Sequence, residues 1–191
     1  MTSHLGDTGV SVVRLAECVA TPWRNGGGIT REIARHPSSG DFDWRLSIAD
    51  VDRDGPFSEF PGIDRVLVLL RGPGMTLRFL DTGKTVSLGR PLDLLEFAGE
   101  RPVDASLVGG PTVDLNLMWR RGHVTTSWSV LPCRDATAGL PEGSTVLTVV
   151  GSGSASLPDG SALVVGDTVV TSGSRPPTLD GDALVVRFVV A

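Results

Sequence analysis

The chain has 191 residues, enough for one large domain or two small ones, and its 40% hydrophobic content against 20% charged supplies side chains for a sizeable core rather than a solvated coil. Its 17 basic and 22 acidic side chains leave a formal net charge of −5, the wrong sign for neutralising nucleic-acid phosphates or docking on anionic lipid, and no Lys/Arg run supplies a local basic patch. Gly (24) and Pro (13) together fill about a fifth of the positions, a turn-rich composition that argues against a helical bundle.

The first 20 residues carry Asp7, Arg14 and Glu17 and lack the unbroken apolar stretch of a signal peptide. No later segment runs about 18 apolar residues, so the expectation is a soluble cytoplasmic protein without a membrane partner. Cys18 and Cys133 are too few for a disulfide framework and form no Cys-x-x-Cys pair, which leaves two reduced thiols as the reading.

Along the chain the period is two rather than 3.6. Phe42, Trp44, Leu46 and Ile48 alternate with Asp43, Arg45 and Ser47, the pattern of a half-buried strand. The run from Val66 to Leu70 is apolar on both faces and predicts a central strand buried on both sides or a sandwich-core strand. Val113, Leu115, Leu117 and Trp119 alternate with Asp114, Asn116, Met118 and Arg120. Turn signals such as Asp54-Gly55-Pro56, Phe60-Pro61-Gly62, Arg71-Gly72-Pro73-Gly74 and Pro158-Asp159-Gly160 separate the runs, and the only helices expected are short, with one around 134–138. An internal repeat aligns Val66–Gly74 with Val146–Gly153, each an apolar strand closed by glycines, and continues through Lys84–Leu92 against Ser161–Val169, followed by Arg101-Pro102 and Arg175-Pro176. This rhythm predicts an all-β chain of two jelly-roll lobes, residues 10–125 and 126–191, with exchange of strands between lobes left open.

Jelly rolls of the cupin kind often hold a metal through His-x-His and a carboxylate, but His4, His36 and His123 are isolated from one another, so no metal or other cofactor is expected. The Gly-x-Ser-x-Gly elbow is absent. Gly26-Gly27-Gly28 lacks the Gly-Lys-Ser/Thr ending of a phosphate loop and reads as a tight turn. What stands out is polarity inside packed segments: the stretch from Thr21 to Glu32 around Trp23, then Arg45 with Ser47, Asp64-Arg65 entering the most apolar strand, and Asn116 between two leucines. Singly these fit a solvated face, a turn closed by an ion pair and a satisfied bulge. Together they can line a concave site in which guanidinium groups grip a small carboxylate.

The segments Trp23–Ala34, Phe42–Ala49, Gly55–Arg65 and Asp114–Met118 resemble, in order and spacing over about 100 residues, the motifs of the HutD/Ves family. One departure is Phe97-Ala98-Gly99-Glu100, where the family often has Phe-x-Gly-Asp. The resemblance implies a bicupin fold and no established catalytic activity. HutD members travel with bacterial histidine-utilisation genes and look like small-molecule-binding modulators of that pathway; Ves members look like stress- or cold-responsive proteins. Carried over by motif, the expected ligand-binding residues are Trp23, Asn25, Thr30, Glu32, Arg45, Ser47, Ser58, Phe60, Arg65, Asn116 and Met118.

In that expectation Arg65 and Arg45 hold carboxylates, Ser47 and Asn116 meet the ligand's polar middle, and Trp23, Phe60 and Met118 form an apolar wall, while Glu32 either orients an arginine or lies on the surface. The partner is then a small acidic metabolite such as N-formylglutamate or urocanate, with no nucleic acid and no catalytic residue; a homodimer is open, since jelly rolls commonly pair through sheet edges. The alternatives are a cofactor-free isomerase or hydrolase using Glu32 as acid/base with Arg65 as a clamp, and an interaction scaffold with an exposed apolar patch.

Overall fold

Nearly every period-two segment becomes a strand in the computed structural model, which describes residues 3–4, 9–137, 143–173 and 175–191. In chain order the strands are β1 (Ser3–His4), β2 (Val10–Val13), β3 (Ala20–Pro22), β4 (Gly28–His36), β5 (Trp44–Val51), β6 (Gly55–Pro56), β7 (Ile63–Arg71), β8 (Met75–Phe79), β9 (Thr85–Leu88) and β10 (Leu94–Ala98). They continue with β11 (Val103–Leu107), β12 (Thr112–Arg120), β13 (Thr126–Pro132), β14 (Thr145–Ser152), β15 (Ala155–Ser156), β16 (Ala162–Leu163), β17 (Thr168–Ser172), β18 (Asp180–Gly181) and β19 (Leu184–Val190). The helical content of the described residues is two 3-10 turns, Leu15–Glu17 and Cys133–Asp135. The second is what the expected helix near 134–138 amounts to, and residue 138 lies outside the described residues. No helix among the described residues is long and apolar enough to cross a membrane.

The chain divides into two units, Val19–Val124 and the combination of Met1–Cys18 with Thr125–Ala191. In the first, a six-stranded antiparallel sheet ordered β10-β7-β12-β5-β4-β3 packs on a four-stranded sheet β6-β11-β8-β9. Ala49, Leu67 and Leu69 of the larger sheet meet Met75, Leu77, Phe79 and Val103 of the smaller, and Phe79 sets its ring edge-on against Phe97 at 5.5 Å. In the second, the sheet β1-β2-β17-β14-β19-β13 packs on β16-β15-β18, with Val150, Val169 and Val185 against Ala155, Leu157 and Leu163. Strands covered on one face bury one side chain in two, which is why alternation was visible in the sequence, while central strands such as β7 and β14 are buried on both faces.

The strand order repeats. β10-β7-β12 and β9-β8-β11 in one unit have the same arrangement as β17-β14-β19 and β16-β15-β18 in the other, matching the sequence repeat that pairs Val66–Gly74 with Val146–Gly153. The strand Val10–Val13, grouped by sequence with the amino-terminal lobe, pairs instead with β17 through Val13↔Thr168 and Val12↔Val169. Arg14 fixes its end: Nη1 reaches Asp167 Oδ2 at 2.9 Å, and the Asp167 carboxylate also accepts from Leu15 N at 3.0 Å.

β7 is central as expected, lying between β10 and β12 with Val66 to Leu70 at most 2% exposed. β5 differs from the half-buried strand that its pattern predicts. It starts at Trp44 and is covered on both faces, with Ser47 only 2% exposed, because the polar-alternating face turns toward the smaller sheet rather than to solvent.

Two glycines set the entry to this unit. Gly26 has φ +68°, and the turn is closed by Trp23 N donating to Gly28 O at 2.9 Å and Gly26 N to Trp23 O at 3.0 Å. At Gly28 a Cβ would fall 2.3 Å from Asp50 O, so the β4–β5 pairing leaves no room for a side chain. Gly28→Ala is expected to destabilise the fold by about 1–3 kcal/mol through overpacking, read as a lower urea midpoint at unchanged slope.

A candidate binding cup in the Val19–Val124 unit

Three strands place the site by register alone. Met118 of β12 stands opposite Arg45 of β5 and Arg65 of β7, Asn116 opposite Ser47 and Leu67, and Asp114 opposite Ala49 and Leu69. Thr30 and Glu32 of β4 pair with Ala49 and Ser47. Alternate residues of adjacent strands share a face, so Arg45, Ser47, Arg65, Asp114, Asn116 and Met118 all project from one side of the larger sheet. Two loops complete the cup. The Trp23–Gly28 turn forms one wall, with Trp23 Nε1 donating to Thr30 Oγ1 at 2.7 Å and Gly27 N to Asn25 Oδ1 at 3.0 Å. The loop after β6 forms another, held by Phe57 N to Val103 O and Phe60 N to Gly99 O, both 2.8 Å.

The cavity so enclosed is about 540 Å³, within the range of small-molecule sites. Trp23, Asn25, Thr30, Arg45, Ser47, Ser58, Phe60, Arg65, Asn116 and Met118 line it. Glu32 does not; it borders an adjoining recess that shares Trp23, Thr30, Arg45 and Ser58. There its Oε2 accepts from Arg45 Nε at 2.8 Å and lies 3.9 Å from Arg35 Nη1. Arg45, expected to grip a ligand carboxylate, therefore already has an internal partner. Asp64 likewise closes no pair with its neighbour Arg65 but is gripped by Arg121, with Nη2 to Oδ1 at 2.6 Å and Nε to Oδ1 at 3.0 Å, while Arg121 Nη1 reaches Glu100 at 2.9 Å.

Arg65 sits in the floor. It is 5% exposed, its Nε donates to Asn116 Oδ1 at 3.3 Å, and its guanidinium carbon lies 5.1 Å and 5.0 Å from the ring centroids of Phe57 and Phe97. Burial lowers its pKa to about 10, against the pull of Asp114 and helped by the repulsion of Arg45, so it keeps its charge at neutral pH. Asp114, 3% exposed, also faces the cavity, and among the described residues no hydrogen bond reaches its carboxylate. Burial pushes it up to about 7, with Arg65 opposing and Asp50 adding to the shift. Sequence reasoning missed Asp114 and Phe57, although both lie inside the quoted motifs. The chemistry of the donor set does not suit a metal: no histidine lines the cup, and its one buried carboxylate shares the floor with a guanidinium.

A family model named HutD matches residues 15–186. The chain belongs to the HutD family. It is 40% identical over 112 residues to the "Uncharacterized 21.2 kDa protein in hutC 3'region" of Pseudomonas putida, a match spanning 58% of this chain and 58% of that protein. It is 40% identical over 131 residues to Protein Ves of Cronobacter sakazakii, covering 68% of this chain and 71% of that one. Among solved structures it is similar to HutD from Pseudomonas fluorescens SBW25, described as "Formate condition", with 31% identity, a TM-score of 0.75, and coverage of 94% of this chain and 97% of the other. A cupin 2 conserved barrel domain protein from Leptotrichia buccalis, 10% identical with a TM-score of 0.57 over 94% of each chain, shares the cupin-type β fold and nothing more.

In this HutD-family chain the raised pKa of Asp114 has a consequence for stability. The folded chain holds the Asp114 proton up to about pH 7 while an unfolded aspartate loses it near its ordinary value of 3.8. Stability from this group is therefore present at low pH and declines as pH rises between those values. Asp114→Asn is expected to be the more stable protein at about pH 8, by roughly 1–3 kcal/mol, and to match the parent near pH 3; thermal melts across that window read it.

Proposed function

We propose that this protein is a small-molecule-binding module that takes a small carboxylic acid into the cup and, in the manner its family's gene neighbourhood implies, modulates histidine utilisation. The observation that carries the reading is Arg65: a charged guanidinium 5% exposed in the floor of an open cavity, oriented by Asn116 and flanked by Phe57 and Phe97. An arginine placed there for stability alone would be a poor choice, since apolar replacements of buried ion pairs are often neutral or stabilising. Its fork geometry suits a carboxylate, and the two flanking rings lie within cation–π reach of it.

The hut-region name of the Pseudomonas putida relative and the formate condition of the Pseudomonas fluorescens structure favour acids of histidine breakdown, with N-formylglutamate and urocanate foremost. Arg45, tied to Glu32, sits where it can meet a second acidic group at the rim.

The test is a thermal-shift panel of N-formylglutamate, urocanate, glutamate and formate, on the parent chain and on Arg65→Ala. An acid present at about 100 times its dissociation constant stabilises by about 2.7 kcal/mol, roughly a 5–10 °C rise for a chain of this size. The expected result is a rise for at least one acid in the parent and none in Arg65→Ala. A flat panel in the parent, or an unchanged shift in the variant, overturns the reading.

A further inference from the structure

We propose that the cup takes its acid together with a proton: the ligand's carboxylate settles on Arg65 while Asp114 becomes protonated and donates its O–H to the ligand, making Asp114 the residue that sets specificity. This rests on the reading of the cup as an acid-binding site and adds what accompanies the acid.

The argument is one of charge balance in a confined space. Arg65 and Asp114 both line the cavity, both are at least 95% buried, and one positive with one negative charge leaves the empty floor neutral. An arriving carboxylate adds a second negative charge to the same floor. The other charged groups around Asp114 do not absorb it. From β5, Asp50 repels Asp114 and is itself paired to Arg31 of β4 at 2.5 Å; Arg45 of β5 is paired to Glu32 of β4. Arg24, on the turn, is exposed at the cavity edge and solvated. An uncompensated charge in such a site is expensive, and neutralisation by a proton is the usual escape.

Asp114 is prepared for that escape. No hydrogen bond from a described residue reaches its carboxylate, and burial, outweighing the opposing charge of Arg65, has already raised its pKa to about 7, so the proton is acquired from water at little cost near neutral pH. The balance is simple: one ligand carboxylate and one solvent proton enter, no covalent bond to the ligand changes, and the floor stays neutral. As a neutral acid Asp114 is a donor, and it therefore favours ligands that present an oxygen acceptor beside the carboxylate. An ionised Asp114 would instead favour a ligand ammonium. The cup should thus prefer an acylated or amine-free acid to the corresponding amino acid.

Calorimetric titration of the full chain with N-formylglutamate, formate and glutamate, in two buffers of different ionisation enthalpy between about pH 6 and pH 8.5, counts the protons. The expected result is uptake of about one proton per acid near pH 8, falling toward none near pH 6, with affinity weakening about tenfold per pH unit above pH 7. N-formylglutamate should bind at least about tenfold more tightly than glutamate, and Asp114→Asn should bind it near pH 8 about tenfold more tightly than the parent, with the pH slope and the proton uptake both gone. Acid binding with no proton uptake, an undiminished pH slope in Asp114→Asn, or preference for glutamate overturns the proposal and leaves the acid-binding reading standing. Absence of heat with every acid at every pH removes both. If Asp114→Asn fails to fold, the proton count on the parent decides alone.

Discussion

Arg65 imposes the arrangement of the Val19–Val124 unit. Its strand otherwise buries Val66 through Leu70 almost completely, so the chain places a permanent cation at the edge of its most apolar run. A guanidinium cannot shed its charge to escape the core, and the surroundings are built to tolerate it. Asn116 accepts its Nε, two phenyl rings flank it, and a water-accessible cavity lies over it. Filling that cavity with apolar side chains would strand the charge, so the two sheets cannot close on each other at this end as they do around Leu77 and Phe79. The Asp64–Arg121–Glu100 cluster holds the start of the same strand. Being partly exposed, it adds little to overall stability, but it fixes where Arg65 enters the sheet.

Much of the fold was legible because sandwich strands write their two faces into the sequence as alternation, and because the repeat set two stretches of chain in parallel. The cup was legible in outline through its polar residues in apolar surroundings. Asp114 was not. In the run from Val113 to Arg120 its alternation with Leu115 is indistinguishable from that of a strand with one wet face, and only the second sheet reveals that both faces are covered. The partners of the charged residues were equally hidden. Arg45 with Glu32 and Asp64 with Arg121 join different strands, and pairings of that kind depend on register, which a single sequence does not display. Phe57, one residue past a Gly-Pro turn, reads as loop punctuation until its ring is found over a guanidinium.

The repeated strand order shows the same framework put to different use. In the Val19–Val124 unit, β8 and β11 each run five residues, long enough to roof a space; their counterparts β15 and β18 each have two. Shorter strands bring fewer side chains to the second sheet, and the core there is built from aliphatic side chains such as Val150, Leu163 and Ala183. The same topology thus supports a cup in one case and a plain aliphatic core in the other, which is the usual relation of fold to function.

The turn from Trp23 to Gly28 has a kinetic meaning. It is closed by backbone bonds at both ends, braced by Asn25, anchored by Asp52 N to Gly27 O at 2.9 Å, and its indole is tethered to Thr30. A wall fastened at so many points is pre-organised by the chain's own hydrogen bonds. Binding in such a cup would require no refolding of this rim, so little ordering entropy would be lost and encounter with the solute, rather than rearrangement of the turn, would set the pace of loading. On the acid-binding reading proposed above, such a rim would let the cup equilibrate quickly with its surroundings, a property that suits continuous sensing better than long-term storage.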